Sequence, residues 1–421
     1  MPLVPVEEAR RHVLDSCGVL PAEVVALSDA LGRVTAAEVV SPEAVPPFAN
    51  TAMDGYAVRA AETSGASDEL PVTLRVARSI AAGQPPGLPL LAGEAIRIMT
   101  GAPLPAGADA VVMVERTRPV RSVSGGEAVQ ILAEADRGDH VRRPGDDVRP
   151  GDRVVAAGTE LRPAHLGVLA SVGVTEVVVH GRPRVGVLST GDELVEGGGP
   201  LGPGQIRDSN RGTLLALLRE SGFEAVDLGI ARDTEEEITA AVDRGVKECD
   251  ALLTSGGVSV GDFDYVKAVL DRRSGGAMRW MQVAVRPAKP FAFGVVEGVP
   301  VFGLPGNPVS SMVSFELFAR PALRQMTGHS GGARFRPALA AVAGQDFPRR
   351  PDGRLALDRV VAVVGAGGRV VVRSAGGQGS HVLTAMARAN ALALVPDGTG
   401  VSAGDELTVW LLGDLPGADL A

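Results

Sequence analysis

Residues 252–264, LLTSGGVSVGDFD, carry an apolar run straight into a loop of three glycines and three hydroxyl residues. The apolar run reads as a buried strand. Glycines let a backbone curl so that successive N–H groups face an anion, and the N-terminus of the following helix adds its positive dipole end. Asp262 and Asp264 stand immediately beyond. Carboxylates there repel an anion unless a hard divalent cation lies between them and a bound phosphate. The stretch therefore predicts a strand–loop–helix unit that takes a phosphorylated ligand with magnesium.

Working outward, VGVL, EAVDLGI, ALLTS and VPVFGL read as buried strands, with helices expected near 210–221, 234–248 and 264–273. Thr234 with Glu237 predicts a capping box, and Asn307 before Pro308 predicts an N-cap with proline at the first helical position. Strand–helix alternation predicts a doubly wound parallel sheet over 181–328. Upstream, Val6, Ala9, Val13 and Leu14 lie at helical spacing. The texture over 41–146 is β-rich, with RRPGDDVRPGD read as two neighbouring R-P-G-D turns. A helix around AHLGVLASVG and a strand EVVVH fall in 147–180, which is grouped with 1–40 as a linker domain. After residue 328, ALAAVAG, VVAVV, RVVVRS, ALALVP and LTVWLL predict a small C-terminal β domain over 329–421.

The 421 residues exceed one core, so several domains are expected. Aromatics are only 3%, which leaves the cores to Val, Leu and Ala. A net charge of −9 disfavours nucleic acid, so an anionic ligand needs a local basic cluster. No apolar run is long enough to span a membrane, and Glu7 and Glu8 stand where a signal peptide is basic. Cys17 and Cys249 lie in unrelated contexts, against a disulfide framework and for a reducing cytosol. The histidines have no H-x-H or H-E-x-x-H spacing, which argues against zinc. A G-x-S-x-G elbow and a Walker A lysine are both absent.

Ligands of open α/β sheets bind beyond the carboxyl ends of the strands. Four loops fall there: Ser189-Thr190-Gly191-Asp192-Glu193, Arg232-Asp233, the loop from Gly256 and Gly257 through Ser259, and Pro305-Gly306-Asn307-Pro308-Val309-Ser310. Any one carboxylate among them could be a helix cap, Asp233 especially. Five at one rim (Asp192, Glu193, Asp233, Asp262 and Asp264) argue for metal or acid–base work. Arg286-Pro-Ala-Lys289-Pro supplies cations on a backbone stiffened by proline, suited to a small oxyanion, or else an exposed turn. Only Lys247, Lys267 and Lys289 among 41 basic residues are lysines, which favours a function for Lys289. Asp54 and Thr100 lie in turn-like contexts that residue chemistry alone leaves unremarkable.

Together, PPFANTAMDGYAV, IRIMTGAPLPAGADAVVMVE, RRPGDDVRPGD, STGDEL, GQIRDSN, TSGGVSVGDFDYV, RPAKPFAFG and GLPGNPVSS resemble the molybdopterin molybdenumtransferase family, the MoeA and gephyrin E-domain proteins, in order and over nearly the whole chain. The resemblance implies a MogA-like molybdopterin-binding α/β domain with an inserted lasso domain, a linker domain and a C-terminal barrel-like domain. It implies a magnesium-dependent transferase that binds adenylylated molybdopterin, cleaves its phosphoanhydride, releases AMP and inserts molybdate. It also implies a cytoplasmic homodimer with the active site between subunits, and the adenylylating enzyme and apo-molybdoenzymes as partners.

The family's functional acids and hydroxyl fall on Asp54, Thr100, Asp147, Glu193, Asp233 and Asp264, and of these Glu193, Asp233 and Asp264 are the expected metal ligands. Its basic and proline positions fall on Arg142, Arg286, Lys289, Pro305 and Pro308. Its molybdate pocket maps to Arg286, Lys289, Ser310, Arg359 and Ser380. The chain departs from the family where Arg286 and Gln282 stand for lysines and Ala288 for glycine. A nucleotide pyrophosphatase on the same α/β domain and a non-catalytic scaffold are the competing readings.

Overall fold

The computed structural model describes residues 2–122, 125–257 and 265–416. The expected buried strands are Arg184–Thr190 (β1), Glu224–Ala231 (β2), Ala251–Ser255 (β3) and, after two further strands, Val299–Leu304 (β6). The two additions are Arg279–Gln282 (β4) and Pro290–Val296 (β5), and the sheet order is β2-β1-β3-β6-β5-β4. Neighbours among β2, β1, β3 and β6 run parallel, while β5 and β4 are antiparallel. The sheet is thus mixed, not wholly parallel as expected. The reason is local: Glu297 and Gly298, with φ of 52° and 87°, form a two-residue turn of the kind that folds one strand back beside the last. No crossover helix intervenes there, and a parallel pair requires one.

Helices Asn210–Glu220, Glu235–Glu248 and Tyr265–Arg273 lie within a residue or so of the expected positions. Thr234 Oγ1 accepts from Glu237 N at 3.3 Å, as a cap should, but the Glu237 carboxylate accepts from Arg232 N at 2.9 Å. The box thus also fixes the Arg232–Asp233 loop. Ile238, Val242 and Gly245 form the buried stripe of this helix. Asn307 precedes helix Pro308–Ser314 as expected, yet its side chain makes no capping bond.

The N-terminal helix Val6–Asp15 buries Val6, Ala9 and Val13 as its spacing predicts. It does so in one core with Phe291, Phe293, Phe318 and Leu323, so it packs on the α/β domain and not with 147–180. Length explains this: ten residues bury their stripe only against a ready-made surface. The linker elements keep their own core of Ala30, Val155, Leu161, Leu169, Val177 and Val179, around antiparallel Ala22–Ala26 and Glu176–His180.

Within 41–146 lies a six-stranded sheet with two small cores, drawn from Tyr56, Val58, Leu74, Val129 and Ile131 and from Ile80, Leu90, Ile96 and Ile98. Neither core includes a residue of the α/β domain. The repeated R-P-G-D turns form: Asp146 and Asp152 accept from Arg143 N at 2.6 Å and Arg149 N at 2.8 Å. All five C-terminal strands are present, as Ala338–Ala343, Leu355–Val364, Val370–Ser374, Ala391–Val395 and Glu406–Leu411, closed into a barrel by the pairing of Leu355–Val364 with both Val370–Ser374 and Ala391–Val395. Among the described residues, no helix is long and apolar enough to cross a membrane. Burial pushes the thiols of Cys17 and Cys249 up to about 12 and about 11, which leaves both protonated and unreactive at neutral pH.

Candidate active site

Parallel β1, β2, β3 and β6 end on one edge, at Thr190, Ala231, Ser255 and Leu304. Their loops are stitched together by backbone groups. Gly191 N donates to Ala231 O at 3.3 Å and Gly256 N to Leu304 O at 3.1 Å. Asp233 N donates to Asp192 Oδ1 at 3.1 Å, so the two acidic loops touch. The Glu193 carboxylate folds over Gly191, where a Cβ would collide with it. At Gly256 (φ 99°) a Cβ would come within 2.9 Å of Thr190 O, so the Gly/Ser loop can begin this close to β1 only without a side chain. Ser189 and Thr190 are buried, whereas Asp192, Glu193 and Asp233 are exposed at the rim. Ser259, Asp262 and Asp264 lie outside the described residues.

Asn210, which sequence reasoning passed over, clamps this edge. Its Nδ2 donates to Ser255 Oγ at 2.8 Å and to Gly306 O at 2.7 Å, joining the loops after β3 and β6. Its neighbour Arg211 anchors the helix by bonds to Asp208 (3.1 Å), Asp227 (2.6 Å) and Glu196 (2.7 Å). Burial disfavours that guanidinium's charge, but the three carboxylates outweigh it and hold Arg211 above its ordinary value. Asn210→Ala is expected to destabilise the protein by about 1–2 kcal/mol, the usual scale for losing partly buried hydrogen bonds. Chemical denaturation reads this, and an unchanged midpoint would show that the clamp contributes no net energy.

The loop after β6 has a second role. Asn307 and Ser310 line a cavity of about 390 Å³ together with Arg286, Lys289 and Ser380. Val283 N donates to Lys289 O at 2.7 Å, closing the RPAKP loop, and Val309 N donates to Ser380 O at 3.1 Å. Val285–Arg286 pairs with the barrel strand Leu355–Val364, so the notch straddles the α/β and C-terminal domains. Arg286 and Lys289 are exposed; Ser310 is buried. The Arg286–Pro287 bond is cis, and Ala288 takes φ 79°, a left-handed conformation that glycine adopts more readily.

Arg359 does not line this cavity. It is 1% exposed and donates to Leu357 O at 3.1 Å, Gly379 O at 3.4 Å and Gly377 O at 3.5 Å, so it supports the Ser380 loop from behind. Burial holds its guanidinium below the ordinary value, Asp358 opposes this, and the like charge of Arg286 adds to it. Arg354, Gln378 and His381 also face the cavity. Sequence reasoning missed them because only barrel closure brings them there.

In the β-rich region Asp54 and Thr100 do meet. Thr100 N and Oγ1 both donate to Asp54 Oδ1 at 2.7 Å. Gly55 is more than a turn residue, since a Cβ there would collide with the Val112 carbonyl. Arg142 pairs with Asn50 on the adjoining ribbon, and Asp147 N donates to Val45 O at 3.0 Å, with its side chain exposed. The Thr100 backbone bond, then its hydroxyl, holds the Asp54 carboxyl below the usual range. A depressed folded pKa adds stability above the unfolded pKa and loses it as pH falls through the folded value. Thr100→Val is therefore expected to move the Asp54 titration upward, though not fully to the unperturbed value, because the backbone bond remains. An NMR titration in which Asp54 does not move would contradict this.

Hard carboxylate oxygens on adjoining loops suit a cation such as magnesium. Among the described residues, however, no three acids, histidines or cysteines stand close enough to form a metal site on their own. Glu193 and Asp233 thus offer the right donor chemistry but an incomplete set.

Three family profiles match in order. They are described as "MoeA N-terminal region (domain I and II)" over 4–173, "Probable molybdopterin binding domain" over 186–325 and "MoeA C-terminal region (domain IV)" over 340–412. A molybdopterin molybdenumtransferase of Haemophilus influenzae is 37% identical over 97% of this chain and 98% of its own. Molybdopterin molybdenumtransferase 2 of Mycobacterium tuberculosis is 41% identical over 96% of this chain and 98% of its own. The molybdopterin biosynthesis MoeA protein of Pyrococcus horikoshii superposes with a TM-score of 0.80 at 29% identity, covering 97% of this chain and all of that one. Profiles, full-length relatives and architecture agree, and the chain belongs to the MoeA family of molybdopterin molybdenumtransferases.

Proposed function

We propose that this chain completes the molybdenum cofactor: it binds adenylylated molybdopterin, cleaves the phosphoanhydride with release of AMP, and inserts molybdate into the dithiolene. One observation carries the reading. The loop 305–310 belongs to both halves of the site, for Gly306 is clamped to Ser255 at the strand ends by Asn210 while Asn307 and Ser310 line the Arg286–Lys289 notch. A diphosphate at the strand ends and an oxyanion in the notch are thereby neighbours.

In this mechanism the Gly256 and Gly257 turn and the 305–310 loop bind and orient the pterin phosphates. Glu193 holds or accepts the proton of the attacking oxygen. Arg286 and Lys289 hold molybdate, a tetrahedral dianion, by charge-assisted bonds that the acidic protein as a whole cannot supply. Magnesium, when bound, would neutralise the bridging phosphates; Glu193 and Asp233 are the described residues that would hold it, with Asp264 assigned by family resemblance. The bonded pair Asp54–Thr100 shares no core with the α/β domain, which supports a homodimer in which one subunit's β-rich domain completes its partner's site. Two free, buried cysteines suit a reducing cytosol.

The test is incubation with adenylylated molybdopterin, magnesium and molybdate, following AMP and the reconstitution of an apo-molybdoenzyme. AMP with active cofactor is the expected result. Hydrolysis of simple dinucleotides without molybdate would point to a pyrophosphatase, and no turnover to a scaffold.

A further inference from the structure

A second polar cavity, of about 260 Å³, lies where the linker elements meet the α/β domain, and none of its lining residues belongs to the site described above. Five guanidinium groups face it, those of Arg33, Arg182, Arg320, Arg324 and Arg336, in a protein of net charge −9. Three are already engaged. Arg33 donates to Glu23 and to His180 O, Arg324 to Ala333 O at 2.7 Å and Glu160 at 3.0 Å, and Arg336 grips Glu316 with two bonds of 2.8 and 2.9 Å.

Arg320 is different. It is 8% exposed, yet among the described residues its Nε has no hydrogen-bond partner. Its terminal nitrogen reaches only Arg334 O, at 3.5 Å, and its nearest carboxylate, Glu316, lies 3.9 Å away and is already held by Arg336. Buried donors in folded proteins are ordinarily satisfied; Arg320 lines the cavity with one long backbone hydrogen bond, which points to an absent acceptor. Burial, then the like charge of Arg336, depresses Arg320 to about 10, the opposite of what a bound anion would do. On the other wall Arg182 is exposed, and among the described residues its guanidinium has neither an ion pair nor a hydrogen bond. Of the two carboxylates that line the cavity, Glu160 is held by Arg324 and His329, whereas Glu220 is exposed and lies 4.0 Å from Arg336.

We propose that this cavity binds a small phosphate dianion, held between Arg320 and Arg182, the latter just beyond the linker strand Glu176–His180. Planar forks approaching a tetrahedral ion from two walls can satisfy several oxygens at once, which a single ammonium cannot. Free inorganic phosphate and the phosphate of a small ester share this chemistry.

Calorimetric titration of the full-length protein tests it, in a Lys289→Ala background that weakens the oxyanion notch, with inorganic phosphate and with glycerol 3-phosphate, the cavity's share being the binding that Arg182→Ala removes. Binding of one equivalent per chain is expected, weakened at least tenfold by Arg320→Gln and by Arg182→Ala. Arg182 is exposed, so its substitution leaves the fold intact and decides the matter if Arg320→Gln does not fold. Tighter binding of the ester assigns a phosphomonoester, and equal binding assigns the free ion. Absence of binding at millimolar phosphate, or binding that Arg182→Ala leaves unchanged, overturns the proposal.

Discussion

Glu193→Gln is expected to bind adenylylated molybdopterin within about twofold of the unaltered protein and to release AMP at least about a hundredfold more slowly, the lower end of what a positioned acid–base group contributes. The structure gives the reason for expecting binding to survive. Glu193 sits exposed at the rim, folded back over Gly191, while the loops themselves are held by backbone bonds and by Asn210. Removing one carboxylate charge leaves that frame in place and takes away the group that handles the proton, which is also one of the residues that would hold magnesium. A single-turnover assay of AMP release beside an equilibrium binding assay separates the two effects. Normal release by the variant would remove Glu193 from the mechanism.

Lys289→Ala should do the reverse. The notch contains three cations, Arg286, Lys289 and an Arg354 already paired with Asp352, near its neutral hydroxyls, and a charge-assisted bond contributes about 1.5–3 kcal/mol. Losing Lys289 is therefore expected to raise the molybdate concentration for half-maximal cofactor formation about 10- to 100-fold, with pterin affinity changed by less than about threefold. Equal losses for both ligands would assign Lys289 a structural role at the junction with the barrel. The backbone bond between Lys289 O and Val283 N does not depend on the side chain, so the loop itself should persist in the variant.

Much of this arrangement is legible in the chain because its causes are local. The R-P-G-D repeat folds into two turns since Gly145 and Gly151, with φ of 74° and 91°, sit where the turn needs a left-handed residue after proline. The apolar runs of the parallel strands and of the barrel mark themselves by composition, and Thr234 announces its helix by the cap it makes. What sequence reasoning missed depends on distant contacts. PFAFGVV is as apolar as its neighbours, yet the strand direction is set by the Glu297–Gly298 turn. The short helix Val6–Asp15 has a legible apolar stripe, but nothing in it specifies which surface it covers.

The site follows the same division. Acids at strand ends can be placed by topology, so Asp192 and Asp233 meet as expected. Asn210 looks like any polar residue at a helix start, and only the approach of Ser255 and Gly306 reveals it as a clamp. Arg359 illustrates the converse. An arginine in the right family position was expected in the oxyanion pocket, but the closed barrel buries it behind the Gly377 and Gly379 carbonyls, where it supports the loop that carries Ser380.

The dependence of single-turnover AMP release on molybdate concentration tests the shared site most directly. If the strand-end acids and the Arg286–Lys289 notch act through the common loop 305–310, AMP release should rise with molybdate and saturate, and Lys289→Ala should shift that curve to higher concentration. Release of AMP at one rate whatever the molybdate concentration, and equally in Lys289→Ala, would show that the two halves work independently.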